Sequence, residues 1–163
     1  MNHIKYKKGN LVDAFINNEI NVLIQQCNCF CTQNSGVAKE IKTRLPEMFQ
    51  ADCETIKGHI GKLGSYSYAV FDSGNDLPKY GFNLYGQYRY GTEKQHTDYE
   101  AIEKGLEAIR KRLDLSSRDD KTDITIGLPR LGCGLGGGSW DVVSKIIEEQ
   151  LCTYGYEVIC YEL

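Results

Sequence analysis

Glycine carries the chemistry of this sequence more visibly than any reactive side chain. Residues 128–140 read Leu-Pro-Arg-Leu-Gly-Cys-Gly-Leu-Gly-Gly-Gly-Ser-Trp, with five glycines among the seven positions 132–138. An alternating, Ile- and Thr-rich run over 122–128 precedes this stretch and an amphipathic run over 141–151 follows it, which predicts strand, glycine turn and helix. Amides without a Cβ beside them, placed where a helix N-terminus adds partial positive charge, suit phosphate oxygens. The backbone of Gly132, Cys133, Gly134, Leu135 and Gly136 is therefore a candidate diphosphate cradle built from main chain alone. It lacks the Gly-Lys-Ser/Thr ending of a nucleotide-hydrolysing P-loop. A flexible surface loop is the competing reading.

A second junction of the same kind lies upstream. Residues 21–27, Asn-Val-Leu-Ile-Gln-Gln-Cys, predict a buried parallel strand that delivers Asn28 to its carboxyl end. A polar loop over 29–35 then feeds a helix over 36–45 in which Val37, Ile41 and Leu45 share a face. Beyond a later strand over 80–87, the residues Tyr85, Gln87, Tyr88, Arg89 and Tyr90 either line a cleft or form a solvated loop.

The seven cysteines offer less. Cys27, Cys29 and Cys31 have no zinc-site spacing and no His pair beside them, so no metal is expected. Cys53, Cys152 and Cys160 read as small core residues, and the odd total suits reduced thiols in a reducing compartment. Cys133 sits where a helix N-terminus lowers a thiol pKa, yet no His or acid is placed beside it, so filler and nucleophile both stand as readings. His59 and His96 read as surface residues.

The pattern predicts short strands over 3–8, 62–71 and 156–163, and short helices over 11–16 and 48–56, the latter with Phe49 and Cys53 inward. The strands over 62–71 and 80–87 are expected to be neighbours. The long helix over 97–115 opens with a capping box from Thr97 to Glu100. Alternating strands and helices give an α/β fold, a three-layer αβα sandwich with a mostly parallel central sheet. Ligands of such sheets bind outside the carboxyl ends of the strands, where both loop-to-helix junctions open. A chain of 163 residues is read as one domain, 1–163. A net charge of −3 and a pI near 5.6 argue against nucleic-acid binding through an overall positive field and favour a small ligand. No signal segment or membrane span is legible, so a soluble cytoplasmic protein is expected.

Taken together, Lys8-Gly-Asn-Leu11, Gln26-Cys-Asn-Cys29 with Gly36-Val-Ala38, Asn83-Leu-Tyr85, Leu128 to Leu135 before Trp140, and the final Cys160-Tyr-Glu-Leu163 resemble a macrodomain. The resemblance covers essentially the whole chain and is strongest to the branch holding ADP-ribose-1″-phosphate phosphatases and the terminal ADP-ribose protein glycohydrolase. It implies ADP-ribose, or a derivative of it, as ligand, with an ADP-ribosylated macromolecule as a further partner and no cofactor. Asn10 and Leu11 would meet the adenine, closed by Tyr161 or Leu163. The 132–136 backbone would hold the diphosphate together with Gly36, Val37 and Ala38. Asn28 would approach the distal ribose as the catalytic candidate, bordered by Tyr85, Gly86 and Gln87. The family's catalytic groups are missing: Gln25 stands where the phosphatase has His, Gly86 or Gln87 where the glycohydrolase has Lys, and Gly136 where it has Asp. Gln and Gly supply no proton shuttle or covalent nucleophile. Hydrolysis at the distal ribose and non-catalytic reading of ADP-ribose therefore both remain as functions.

Overall fold

The computed structural model describes residues 2–33, 36–89, 96–116, 123–134 and 136–163. Leu135, Tyr90 and most of the charged linker after residue 116 lie outside the described residues. The described chain runs β1 (Lys5–Lys8), α1 (Leu11–Ile16), β2 (Val22–Cys27), α2 (Gly36–Arg44), α3 (Pro46–Cys53), β3 (Tyr66–Val70), β4 (Tyr80–Tyr85), α4 (Tyr99–Ser116), β5 (Thr125–Leu128), α5 (Trp140–Gln150) and β6 (Glu157–Glu162).

The strands form a sheet of order β1-β6-β5-β2-β4-β3. All pairs are parallel except β3 with β4, the hairpin neighbours expected from the sequence. Side-chain alternation along β2 divides the core in two. Val22 and Ile24 face the cluster with Ile102, Leu106 and Ile109 of α4 and Val143 and Ile147 of α5. Leu23 faces the other cluster, with Leu11 and Phe15 of α1, Ile41 of α2 and Met48 of α3. Helices thus cover both faces of the sheet, as the sequence pattern predicts.

Alternation also sends the two glutamines of β2 opposite ways, and each finds partners, as buried amides must. Gln25, on the α3 side, donates to Asn83 Oδ1 at 2.8 Å. Asn83 in turn donates to Ser67 Oγ, and Tyr85 Oη meets both Ser67 Oγ at 2.8 Å and Asp52 Oδ1 at 2.7 Å. Gln33 donates to the other oxygen of Asp52 at 3.0 Å.

This network shifts the inward face of α3 by one residue from the expected one. Met48 and Asp52 point in, because a buried carboxylate with two donors is worth a helix position. Phe49 sits under the Lys42 ammonium. Cys53 is exposed and forms a disulfide with Cys31, which corrects its reading as a reduced core thiol. Pro46 starts α3, at a position where its missing N–H costs nothing. β1 is exposed on every residue, as an edge strand rich in lysine can be. No helix among the described residues is long and apolar enough to cross a membrane.

Candidate functional site

Because β1, β6, β5, β2 and β4 run parallel, their carboxyl ends share one rim of the sheet. The loops that follow them line that rim in the same order. They are Gly9-Asn10 after β1, Leu163 after β6, the glycine loop after β5, residues 28–33 after β2, and residues 86–89 after β4.

The glycine loop is folded over a threonine. Gly132 and Gly137 have positive φ, 70° and 73°, and Gly138 N donates to Gly132 O at 2.7 Å. Thr97 Oγ1 donates to the same Gly132 carbonyl at 2.7 Å and accepts from Gln26 Nε2 at 3.1 Å. The N–H groups of His96 and Thr97 both donate to Gly136 O, at 2.8 and 3.1 Å. Two carbonyls of the loop are thereby pulled toward the 96–97 segment. Among the described residues, the amides of Gly132, Gly134 and Gly136 donate to nothing. A Cβ at Gly136 would run into Thr97 Oγ1 and lie 2.9 Å from Gly132 O, whereas one at Gly134 would meet nothing within 4 Å. Gly136 is therefore glycine for space. Gly134 lines an open side.

The Ser139 N-cap of α5 makes no side-chain bond, and among the described residues the amides of Trp140 and Asp141 find no acceptor, while Val142 N donates to Ser139 O at 3.1 Å. For Cys133 the surroundings favour the filler reading over the nucleophile. Burial pushes its thiol pKa up, against a smaller lowering effect of Arg130, and Sγ lies 3.3 Å from Leu131 O. Among the described residues no group of His, Cys, Asp and Glu can hold a metal ion.

Asn28 is nearly buried at the end of β2. Its Nδ2 donates to Thr32 Oγ1 at 2.6 Å and to Thr32 O at 3.3 Å, and its Oδ1 accepts from Phe30 N at 2.8 Å. Both amide hydrogens are engaged, which leaves one lone pair on Oδ1 for an incoming hydroxyl. The 28–33 turn is fixed from below by the Gln33–Asp52 bond, by the Cys31–Cys53 disulfide and by Lys62 Nζ, which donates to Cys29 O at 3.1 Å. Gly36, with φ 58°, opens α2. Val37 packs against the second core cluster and Ala38 is half-buried beside it.

A family model described as Macro domain matches residues 24–147, three quarters of the chain and both loop-to-helix junctions. The chain belongs to the macrodomain family. It is 35% identical over 149 residues to an uncharacterized 17.5 kDa protein of Enterobacteria phage T4, covering 89% of this chain and 88% of that one. It is 30% identical over 165 residues to a DNA ADP-ribosyl glycohydrolase of Thermus aquaticus, covering 98% of this chain but 41% of the relative. The macrodomain of Thermus aquaticus DarG superposes with a TM-score of 0.72 at 28% identity, covering 98% of each chain.

Within this macrodomain, the residues expected at a ligand fall into three groups. Gln87 is joined to the glycine loop through Gln26 and Thr97, Asn28 follows the strand beside β5, and Gly36, Val37 and Ala38 begin the helix after the β2 loop. Asn10 and Leu11 lie at one end of the rim, and both are engaged with the protein. Asn10 caps α1 through Asp13 N and donates to both oxygens of Glu40, at 3.1 and 3.0 Å. Leu11 is core. Beside them the Tyr161 ring is buried with its hydroxyl unpartnered among the described residues, while Leu163 is 94% exposed. Tyr85 forms the third group, because its side chain turns away from the rim. The ring is fully buried beneath the Lys62 ammonium, and burial drives its phenol pKa upward. Only the backbone of Tyr85 reaches the strand end.

Sequence reasoning missed two residues of the macrodomain rim, Gln26 and Thr97. Gln26 Nε2 also donates to Gln87 Oε1 at 2.7 Å, so one amide joins the β2, β4 and β5 loops. A polar side chain in an apolar strand was the available signal. Thr97 is not the helix cap it was expected to be: Asp98 takes that role, with Oδ1 accepting from Ala101 N at 3.1 Å. The hydroxyl next to it is thereby released to hold the glycine loop.

Proposed function

We propose that this macrodomain binds ADP-ribose along its rim and hydrolyses the bond joining the distal ribose to a macromolecule, with ADP-ribosylated DNA as the substrate class. The observation that carries the reading is the glycine loop held by Thr97, with the amides of Gly132, Gly134 and Gly136 left without acceptors among the described residues. Preorganised amides of this kind bind a diphosphate without reorganising. The rim order sets the direction. The base lies at the β1 and β6 end against Leu11 and Tyr161 or Leu163, the diphosphate over the β5 and β2 loops, and the distal ribose between the β2 and β4 loops.

Asn28 Oδ1 accepts a hydroxyl of that ribose and fixes its ring. Water adds to the anomeric carbon as the bond to the leaving base breaks, the electron pair goes with the base, and the added water gives up a proton to solvent. The protein acts by orientation and by fixed dipoles, because by the resemblance Gln25, Gly86 or Gln87, and Gly136 replace the family's catalytic groups. DNA as leaving partner, in preference to a 1″-phosphate, rests on the whole-chain likeness to the Thermus glycohydrolase. The same three residues favour a second reading, that of a reader which binds ADP-ribosylated DNA without turnover.

The test is incubation with single-stranded DNA carrying ADP-ribose on a base, and separately with ADP-ribose-1″-phosphate. Free ADP-ribose is expected from the DNA. Asn28→Ala should lower kcat by about a hundredfold while the Kd for ADP-ribose changes little, since misorientation acts on the reacting geometry. Binding with no product from either substrate assigns the reader, and product from the phosphate ester alone assigns a phosphatase.

A further inference from the structure

The rim does not stop at the distal ribose. Past Asn28 and Gln87, the turns after β2 and β4 are tied together, with Cys29 N donating to Tyr88 O at 3.0 Å. They carry two half-buried aromatic rings side by side. Phe30 and Tyr88 pack edge to face with centroids 5.0 Å apart. The exposed Arg89 guanidinium lies 5.5 Å from the Tyr88 centroid and 5.9 Å from that of Phe30. The turn at Gly58 closes the group from the third side: Gly58 N donates to Cys29 O at 2.6 Å and Tyr88 Oη to Gly58 O at 2.6 Å. Lys57 and His59 flank that glycine and are exposed. Ile56 and Ile60 stand beyond them at 70% and 61% exposure.

Two aromatic rings with an arginine over them, and a turn tied to them that carries an exposed lysine and two exposed isoleucines, stand together past the β4 end of the rim. The charges on the turn between α3 and β3 are Glu54, Lys57 and the inward Lys62, so that turn is not acidic. Rings and a planar cation offer stacking to any unpaired base, and the cations offer contacts to phosphate.

We propose that this Tyr88–Arg89–Lys57 surface, with Phe30 beneath it, is a subsite for the nucleotide next to the ADP-ribosylated base of a single strand. The assignment rests on the ADP-ribose site proposed above and adds the strand to it. Arg89 is the residue to change, since among the described residues its side chain makes none of the hydrogen bonds that hold the rim.

The experiment compares wild type with Arg89→Glu and Lys57→Glu on ADP-ribose, on an ADP-ribosylated mononucleoside, and on an ADP-ribosylated single strand of about ten nucleotides. For wild type the strand should bind about tenfold more tightly than the mononucleoside, with affinity falling steeply in salt. Arg89→Glu should abolish that margin and flatten the salt slope by about one contact. Its Kd for ADP-ribose and its turnover of the mononucleoside should match wild type. An unchanged margin in Arg89→Glu overturns the subsite, as does a wild type indifferent to strand length. An ADP-ribosylated peptide showing the same Arg89-dependent gain overturns the nucleic-acid assignment. If wild type releases nothing from any substrate but keeps the Arg89-dependent margin in binding, the subsite stands and the hydrolase reading falls. Loss of ADP-ribose binding itself would remove the rim site, on which both depend.

Discussion

At Thr97 one hydroxyl serves two loops, giving its hydrogen to Gly132 O and taking one from Gln26 Nε2. Valine has the same shape and neither capacity. Thr97→Val removes one of the two donors to Gly132 O, which keeps Gly138 N, and deprives a Gln26 amide hydrogen of its acceptor, at a stability cost of about 1–3 kcal/mol. It should also weaken ADP-ribose binding by about tenfold, because the glycine amides lose their anchor, while Thr97→Ser restores both; calorimetric titration and thermal melts decide. Equal affinity in the valine and serine variants would show that the loop does not depend on this strut. Gly134 is the complementary probe. It is exposed, its φ is not positive, and a Cβ there meets nothing within 4 Å. Gly134→Glu should therefore melt like wild type and yet lose ADP-ribose, since a carboxylate would lie among phosphate oxygens. Retained affinity would remove the diphosphate from this loop.

Among the elements, the 28–33 turn owes its shape to α3 more than to its own sequence. Gln33 reaches Asp52, and Cys31, with a positive φ of 59°, is bonded to Cys53 one residue further on. A crosslink across a sequence separation of 22 residues contributes about 3 kcal/mol by loop entropy. Added dithiothreitol should thus lower the melting temperature by several degrees, and Cys31→Ala/Cys53→Ala should melt at that lower temperature with or without reductant. A wild-type melt indifferent to reductant would show the thiols unpaired in solution. The contrast between legible and illegible features is sharp here. The strand–glycine–helix junction could be read because periodicity and glycine placement are local signals. The inward face of α3 could not, because Phe49 and Cys53 are more apolar than Asp52. What reverses that order is a pair of partners, Gln33 and Tyr85, brought by distant strands and loops. Thr97 failed for a related reason: Thr and Asp in sequence both cap helices, and only the packing of the glycine loop assigns the cap to Asp98.

Over the whole molecule, the rim works because two cores hold five parallel strand ends level, and the larger core contains thiols that the folded state keeps protonated. Cys152 and Cys160 lie in the α4–α5 cluster at 1% and 0% exposure. Burial, helped by Glu148 in one case and Glu162 in the other, pushes their pKa values up to about 11. Burial also raises Cys27, on the opposite side of the sheet. In the unfolded chain these thiols ionise near their ordinary value, about 8.5. Between that pH and about 11 the folded state holds more protons than the unfolded one, so stability must fall as pH rises through this window. Each unit of separation is worth about 1.4 kcal/mol per thiol, so the Cys152–Cys160 pair sets an upper bound of roughly 5 kcal/mol between pH 9 and 11. Below pH 8 the same groups make no difference, being protonated in both states. Urea midpoints taken at pH 7.5, 9 and 10.5 should drop steeply for wild type and less steeply for Cys152→Ala/Cys160→Ala, with the two curves converging at high pH. Parallel curves would mean that these thiols titrate alike in the folded and unfolded chain, and the alkaline loss would then belong to the phenols, beginning with Tyr85 and Tyr161, whose pKa values burial also raises.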